Sequence, residues 1–113
     1  MIQVYHNARC GKSRDCLAFL QVAAIDFEVV HYLTDTPSYE ELRELIKKLG
    51  VKPIELVRQK EEIWKSDFNN KKLSPAQIIR AMVKHPILIE RPIVINGDKA
   101  VIARPIEKAL TVI

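Results

Sequence analysis

A cysteine stands among cations close to the start of the chain, in His6-Asn7-Ala8-Arg9-Cys10-Gly11-Lys12-Ser13-Arg14. That combination of residue types suits nucleophilic thiol chemistry, because a cysteine reacts as its thiolate and neighbouring positive charge favours that form. Before it, Ile2-Gln3-Val4-Tyr5 alternates apolar and polar as a strand does; after it, Leu17, Phe19, Leu20 and Ala24 follow an apolar helical repeat. Cys10 is therefore expected at the N-terminal end of a helix, where unpaired backbone N–H groups and the positive end of the helix dipole stabilise an anion. Arg9, Lys12 and Arg14 are expected to push the thiol in the same direction.

Spacing excludes three other readings of this stretch. Gly11-Lys12-Ser13 resembles the end of a phosphate-binding P-loop, but the position that must hold the first glycine is His6. A phosphatase-type loop would need an arginine where Cys16 stands, and the nearest is Arg14. The second position of a C-x-x-C redox pair is Ser13. On one helix, Cys10 and Cys16 would be separated by about 9 Å of axial rise, whereas a disulfide needs Cα atoms within about 7 Å. Cys16 reads as a buried structural cysteine.

The elements that must hold this turn follow in order. Phe27-Glu28-Val29-Val30-His31-Tyr32 reads as a second strand, and a crossover helix between two strands makes them parallel. Ser38-Tyr39-Glu40-Glu41 is a capping box, followed by Leu42, Leu45, Ile46 and Leu49 at helical spacing and by Gly50 as a stop. Pro53–Val57 could form a short helix, and Asn69–Lys72 reads as an exposed loop. Ser74-Pro75-Ala76-Gln77 opens another helix, with Ile78, Ile79, Met82 and Val83 on its buried face and His85-Pro86 ending it. Pro92–Ile95 and Ala100–Ala103 flank Asn96-Gly97 as a hairpin. Pro105 is expected to open a terminal helix running through Leu110. The order βαβα, further helices, then ββα is that of an α/β thioredoxin-like fold: a mixed four-stranded sheet flanked by helices, with an inserted helical segment.

With 113 residues, 48% hydrophobic and 28% charged, residues 1–113 suit one globular domain. No apolar run is long enough to cross a membrane, and the N-terminus lacks a signal-peptide core, so a cytoplasmic protein is expected. The net charge of +4 is spread among mixed Asp, Glu, Lys and Arg, with neither repeats nor zinc-finger spacing. Nucleic-acid binding and a metal site are not expected, and cations around a thiol better suit a small anionic substrate.

Further along stand Arg58 after Leu56-Val57, the string His85-Pro86-Ile87-Leu88-Ile89-Glu90-Arg91-Pro92-Ile93, and Ala103-Arg104-Pro105. Together with His6-Asn7-x-x-Cys10-x-x-Ser13-Arg14, these resemble the ArsC-type, glutaredoxin-coupled arsenate reductases of the ArsC/Spx superfamily, nearly end to end. The resemblance implies that Cys10 attacks arsenate to form a thiol–arsenate adduct, that glutathione resolves it with no cofactor bound, and that glutaredoxin completes the cycle. It carries the oxyanion-binding role onto Arg58, Arg91 and Arg104, whose planar guanidinium groups suit a tetrahedral oxyanion better than lysine does. His6 resembles a residue that influences the cysteine's ionisation, Ser13 and Arg14 complete the turn, and Pro92 resembles the cis-proline beside the thiol of thioredoxin folds. Ala8 departs from a common proline, and Gln59-Lys60 from a common basic neighbour of the arginine at 58. Two other readings belong to the same superfamily: an Spx-like regulator that binds RNA polymerase, and a reductase acting on a different substrate. Spx-type proteins usually sense oxidants through a C-x-x-C pair, which Ser13 does not complete.

Overall fold

The computed structural model describes all residues, Met1–Ile113. The chain divides into two compact units: Met1–Asp35 together with Arg91–Ile113, and Thr36–Glu90 between them.

The first unit holds the sheet. Strand β1 (Ile2–Tyr5) leads to helix α1 (Gly11–Val22) and then to β2 (Phe27–Val30). β1 and β2 pair in parallel, Ile2 opposite Phe27 and Tyr5 opposite Val30, as the crossover through α1 requires. The second strand is shorter than its apolar pattern: Tyr32 N–H turns back to the Val30 carbonyl at 3.0 Å, and the Tyr32 side chain is buried against Tyr5 in a stack of 5.9 Å.

The sheet continues in Arg91–Ile113, where β3 (Ile93–Asn96) and β4 (Lys99–Ile102) pair antiparallel. The strand order is β2-β1-β3-β4, with β3 antiparallel to β1, which is the mixed sheet of a thioredoxin-like fold. Burial drives its assembly. Ile2, Val4, Cys16, Leu20, Val94, Ala103, Ala109 and Val112 form one core cluster, with Leu17, Phe19, Ile25 and Phe27 packed against it.

Three local readings change. The hairpin turn is Gly97-Asp98 rather than Asn96-Gly97, because Asn96 is still paired with Lys99. Only Gly97 has positive φ, at 62°, as in turns whose first central residue alone is left-handed. Asn96 has another task, donating from Nδ2 to the Val112 carbonyl at 2.7 Å and so tying down the C-terminus. Ala24 lies outside α1, at φ 56°. Ile25 N–H reaches back to the Leu20 carbonyl and Ala24 N–H to that of Gln21, a Schellman closure with alanine where glycine is usual. The terminal segment Ile106–Thr111 is a 3₁₀ helix, and Pro105 precedes it as the capping residue instead of occupying its first turn.

The second unit is the inserted helical segment. It contains α2 (Tyr39–Leu49), a 3₁₀ turn at Pro53–Leu56, α3 (Glu62–Asp67), α4 (Pro75–Lys84) and a 3₁₀ turn at Pro86–Leu88. Both capping boxes form: Ser38 and Ser74 accept from the backbone N–H groups of Glu41 and Gln77, and those side chains return a bond to the serine N–H. Gly50 closes α2 at φ 67°. Leu42, Leu45 and Ile46 of α2 are buried, as are Ile78, Ile79, Ala81 and Met82 of α4, on which α2 packs; Val83 is only half-buried. Val57 and Ile89 form an isolated antiparallel bridge, flanked by bonds from Arg58 N–H to the Leu88 carbonyl and from Glu90 N–H to the Leu56 carbonyl. Helix α3 has no sequence-level stop or start strong enough to announce it; its anchor is Trp64, buried and stacked on Phe68 at 5.5 Å.

Candidate active site

The loop between β1 and α1 is built by its own polar groups. His6 N–H bonds the Val30 carbonyl at 2.9 Å and so prolongs the parallel pairing of β1 by one step. Asn7, which is buried, then turns the chain. Its carbonyl accepts from Cys10 N–H at 2.9 Å, its side-chain oxygen accepts from Arg9 N–H at 3.0 Å, and its own N–H donates to Ser13 Oγ at 3.3 Å. The Arg14 guanidinium donates to the Ala8 carbonyl at 3.1 Å, closing the loop from the far side. Asn7 was absent from the expected site; its signal was the tendency of asparagine to bond its own backbone two residues on.

These bonds place Cys10 at the N-cap of α1, with φ −97° and ψ 121°, in the extended conformation that lets a cap face the free N–H groups of the first turn. Cys10 is half-buried, and burial pushes its thiol up. The opposing contributions prevail: the Ser13 backbone N–H, the Arg91 side chain by hydrogen bond and by charge, and the Lys12 backbone N–H lower it below its ordinary value of 9.0. Arg91 Nε donates to Cys10 Sγ at 3.2 Å, across 81 positions of sequence. The cation at the thiol is thus Arg91. Arg9 and Arg14 do not supply the charge expected of them: Arg14 is spent on the Ala8 carbonyl, and Lys12 acts on the thiol through its main chain.

Arg91 is directed there by the segment that enters β3. The Arg91–Pro92 bond is cis, as the resemblance of Pro92 implied, and the Arg104–Pro105 bond is cis as well. Ala103 N–H donates to the Pro92 carbonyl at 2.9 Å, which joins the segment around Arg91 to the one carrying Arg104. Arg104 is half-buried and lines a cleft of about 270 Å³ with Lys12, Asp15, Pro105 and Glu107.

Ser13 is fully buried, with its hydroxyl used by Asn7 N–H and its own N–H turned to the thiol. His6 is also buried and its pKa is lowered, by burial first and then by the charges of His31 and Arg14, against a raising backbone bond to Ser13. It is therefore neutral at pH 7 and lends no charge to Cys10; it touches the thiol's surroundings through Ser13. Its Nδ1 has no hydrogen-bond partner, and its ring meets His31 edge-on at 5.8 Å. Cys16 is completely buried, and burial pushes its thiol up to about 11, which fits its reading as a core residue.

Arg58 belongs to the inserted unit. There it pairs with Glu61 at 3.3 Å, both side chains largely buried, and donates to the Ile87 carbonyl at 3.4 Å. Nowhere do three or more His, Cys, Asp and Glu side chains gather as they would to hold a metal ion, and no helix is long and apolar enough to cross a membrane.

Comparison with known proteins shows the family and the fold. The model of the ArsC family matches residues 5–112. The chain is 44% identical over 112 residues to an arsenate reductase of Haemophilus influenzae, covering 97% of each. It is 42% identical over 114 residues to the uncharacterized protein YfgD of Escherichia coli, covering 99% of this chain and 96% of that one. The solved structure of an arsenate reductase from Vibrio cholerae superposes with a TM-score of 0.94 at 39% identity, over 99% of this chain and 97% of that chain.

Proposed function

Because the chain belongs to the ArsC family, we propose that it is an arsenate reductase whose nucleophile is Cys10 and whose reductant is glutathione, recycled by glutaredoxin. The observation that carries this reading is the 3.2 Å bond from Arg91 Nε to Cys10 Sγ at the first turn of α1. A thiol so held is ionised more readily than a free one, and the guanidinium can pass from thiolate to a bound oxyanion as charge moves between them.

The chemistry balances with two thiols. The Cys10 thiolate attacks the arsenic of arsenate, a sulfur–arsenic bond forms, and one oxygen leaves as water after protonation. The glutathione sulfur then attacks Cys10 Sγ, the sulfur–arsenic bond breaks, and its electron pair stays on arsenic. As(V) becomes As(III), released as arsenite, while the two sulfurs are oxidised to a mixed disulfide that glutaredoxin reduces. Cys16 cannot serve as the second thiol, being fully buried and hard to ionise.

In this proposal Arg91 and Arg104 bind the oxyanion from the segments flanking the β3–β4 hairpin. Arg58 joins them on the family resemblance, and its contacts with Glu61 and the Ile87 carbonyl fix the direction of its guanidinium. Glutathione and glutaredoxin set the compartment as the cytoplasm, where thiols are kept reduced. A C-x-x-C regulator is disfavoured, because the second position is Ser13, buried and used to brace the turn.

The test is a coupled assay following NADPH oxidation with arsenate, glutathione, glutaredoxin and glutathione reductase. Oxidation should require arsenate and the chain together and vanish in Cys10→Ser. No arsenate-dependent oxidation by the parent chain would overturn the reading.

A further inference from the structure

The unit Thr36–Glu90 has a cleft of its own, lined from α3, the chain that follows α3, the 3₁₀ turn at Pro53–Leu56 and α4. Its volume is about 350 Å³, toward the small end of the roughly 300–1,000 Å³ that small-molecule sites occupy. Ile54, Leu73 and Ile78 give it an apolar lining, to which Phe68 adds a ring.

Trp64, which also lines the cleft, brings a donor that the chain leaves unpaired. Its side chain is only 3% exposed, and Nε1 is buried without a hydrogen-bond partner. Folded chains rarely keep such a group unless something outside them accepts its proton. The indole is held in place: it stacks on Phe68 at 5.5 Å, Phe68 meets His85 edge-on at 5.9 Å, and the Trp64 carbonyl accepts from the N–H groups of Phe68 and Asn69 at 3.0 and 2.9 Å.

The charge of the lining has one sign. Lys71 is its one ionisable residue, exposed and paired with no carboxylate, while Gln59 and Asn69 contribute neutral amides. An indole N–H and an ammonium beside apolar surface match a ligand that carries an anionic acceptor on an apolar body. A carboxylate has two oxygens, one for each donor, and its single charge is met by Lys71. A phosphate dianion would bring a second charge that no cation of the cleft answers.

We infer that this cleft binds a small monocarboxylate with an apolar body, one oxygen accepting from Trp64 Nε1 and the carboxylate paired with Lys71. The site lies in the inserted segment and requires neither Cys10 nor arsenate, so it stands or falls apart from the proposed reaction.

Trp64 is the single tryptophan of the chain, so its emission and its indole N–H resonance both report on the site. The probe is phenylacetate. Titrated into the full chain, it should change the emission saturably and move the indole proton downfield, as a new acceptor at Nε1 requires. Phenylacetamide has the same shape without the charge and should bind at least tenfold more weakly; Lys71→Met, which keeps an apolar stem, should weaken phenylacetate by the same factor with the thermal melt unchanged. Saturating phenylacetate should leave the alkylation rate of Cys10 as it was. No saturable change in emission, an indole proton that stays in place while other resonances move, equal binding of the amide, or undiminished affinity in Lys71→Met would overturn the inference. So would slowed alkylation of Cys10 with the indole proton unmoved, which would put the anion beside Arg91 instead.

Discussion

At the scale of single residues, the two cysteines are set apart by their surroundings. Cys10 has an arginine and two backbone N–H groups at its sulfur, while Cys16 lies fully buried in the apolar core cluster. Iodoacetamide alkylation followed against pH should give Cys10 a midpoint below 9, and Arg91→Ala should move that midpoint upward. If the midpoint stays where it was, Arg91 is not what stabilises the thiolate. Cys16 makes the opposite contribution, and it can be seen in stability. Its folded-state pKa of about 11 lies above the ordinary 9.0, so the folded state holds its proton while the unfolded state loses it. Stability from this group is complete below pH 9 and is lost as pH rises toward 11, by on the order of 2–3 kcal/mol. Urea melts of the parent and Cys16→Ala between pH 8 and 11 should therefore converge as pH rises; parallel curves would contradict the assignment. His6 has the sign of a buried neutral imidazole. With its pKa lowered, the unfolded state takes up a proton first as pH falls below 6.5, and stability drops there.

At the scale of elements, the sequence was legible wherever a local rule decided the structure. Both capping boxes, the Gly50 stop, the parallel crossover and the hairpin strands follow from side chains that act within a few residues of themselves. The turn of the hairpin moved by one residue because Asn96 still pairs with Lys99 across the strands, and its side chain is taken up by the Val112 carbonyl, 16 residues on. Helix α3 escaped notice because a six-residue helix held by one buried tryptophan has too few turns to show a period. Ala24 is the sharpest case of misfit. It sits at φ 56°, where an alanine Cβ crowds the backbone and glycine does not. Ala24→Gly should stabilise the chain by about 1 kcal/mol, raising Tm by about 4 °C in a thermal melt. A lower Tm would mean that the loss of chain stiffness in the unfolded state outweighs the relief.

At the scale of the whole molecule, the catalytic proposal draws on residues far apart in sequence. Cys10 was legible from its turn, but its partner was legible only through the family resemblance, since the contact spans 81 residues. Arg91→Ala, Arg104→Ala and Arg58→Ala should each lower kcat/KM tenfold or more, because loss of one charge-assisted contact costs about 1.5–3 kcal/mol. Lysine at the same positions should restore only part of the loss, because it brings the charge without the paired donors. Thermal melts separate a damaged site from a damaged unit, above all for Arg58, whose removal leaves Glu61 without its partner.

The central claim is that arsenic is reduced on the sulfur of Cys10. A single turnover tests it most directly: the reduced chain is mixed with arsenate and glutathione, with glutaredoxin left out, then quenched and mapped by peptide mass spectrometry alongside an arsenite determination. The account predicts arsenite in equal amount to a glutathione mixed disulfide on Cys10, with Cys16 unmodified and both products absent in Cys10→Ser. Arsenite formed while Cys10 stays a free thiol, or a mixed disulfide formed equally well without arsenate, would contradict it.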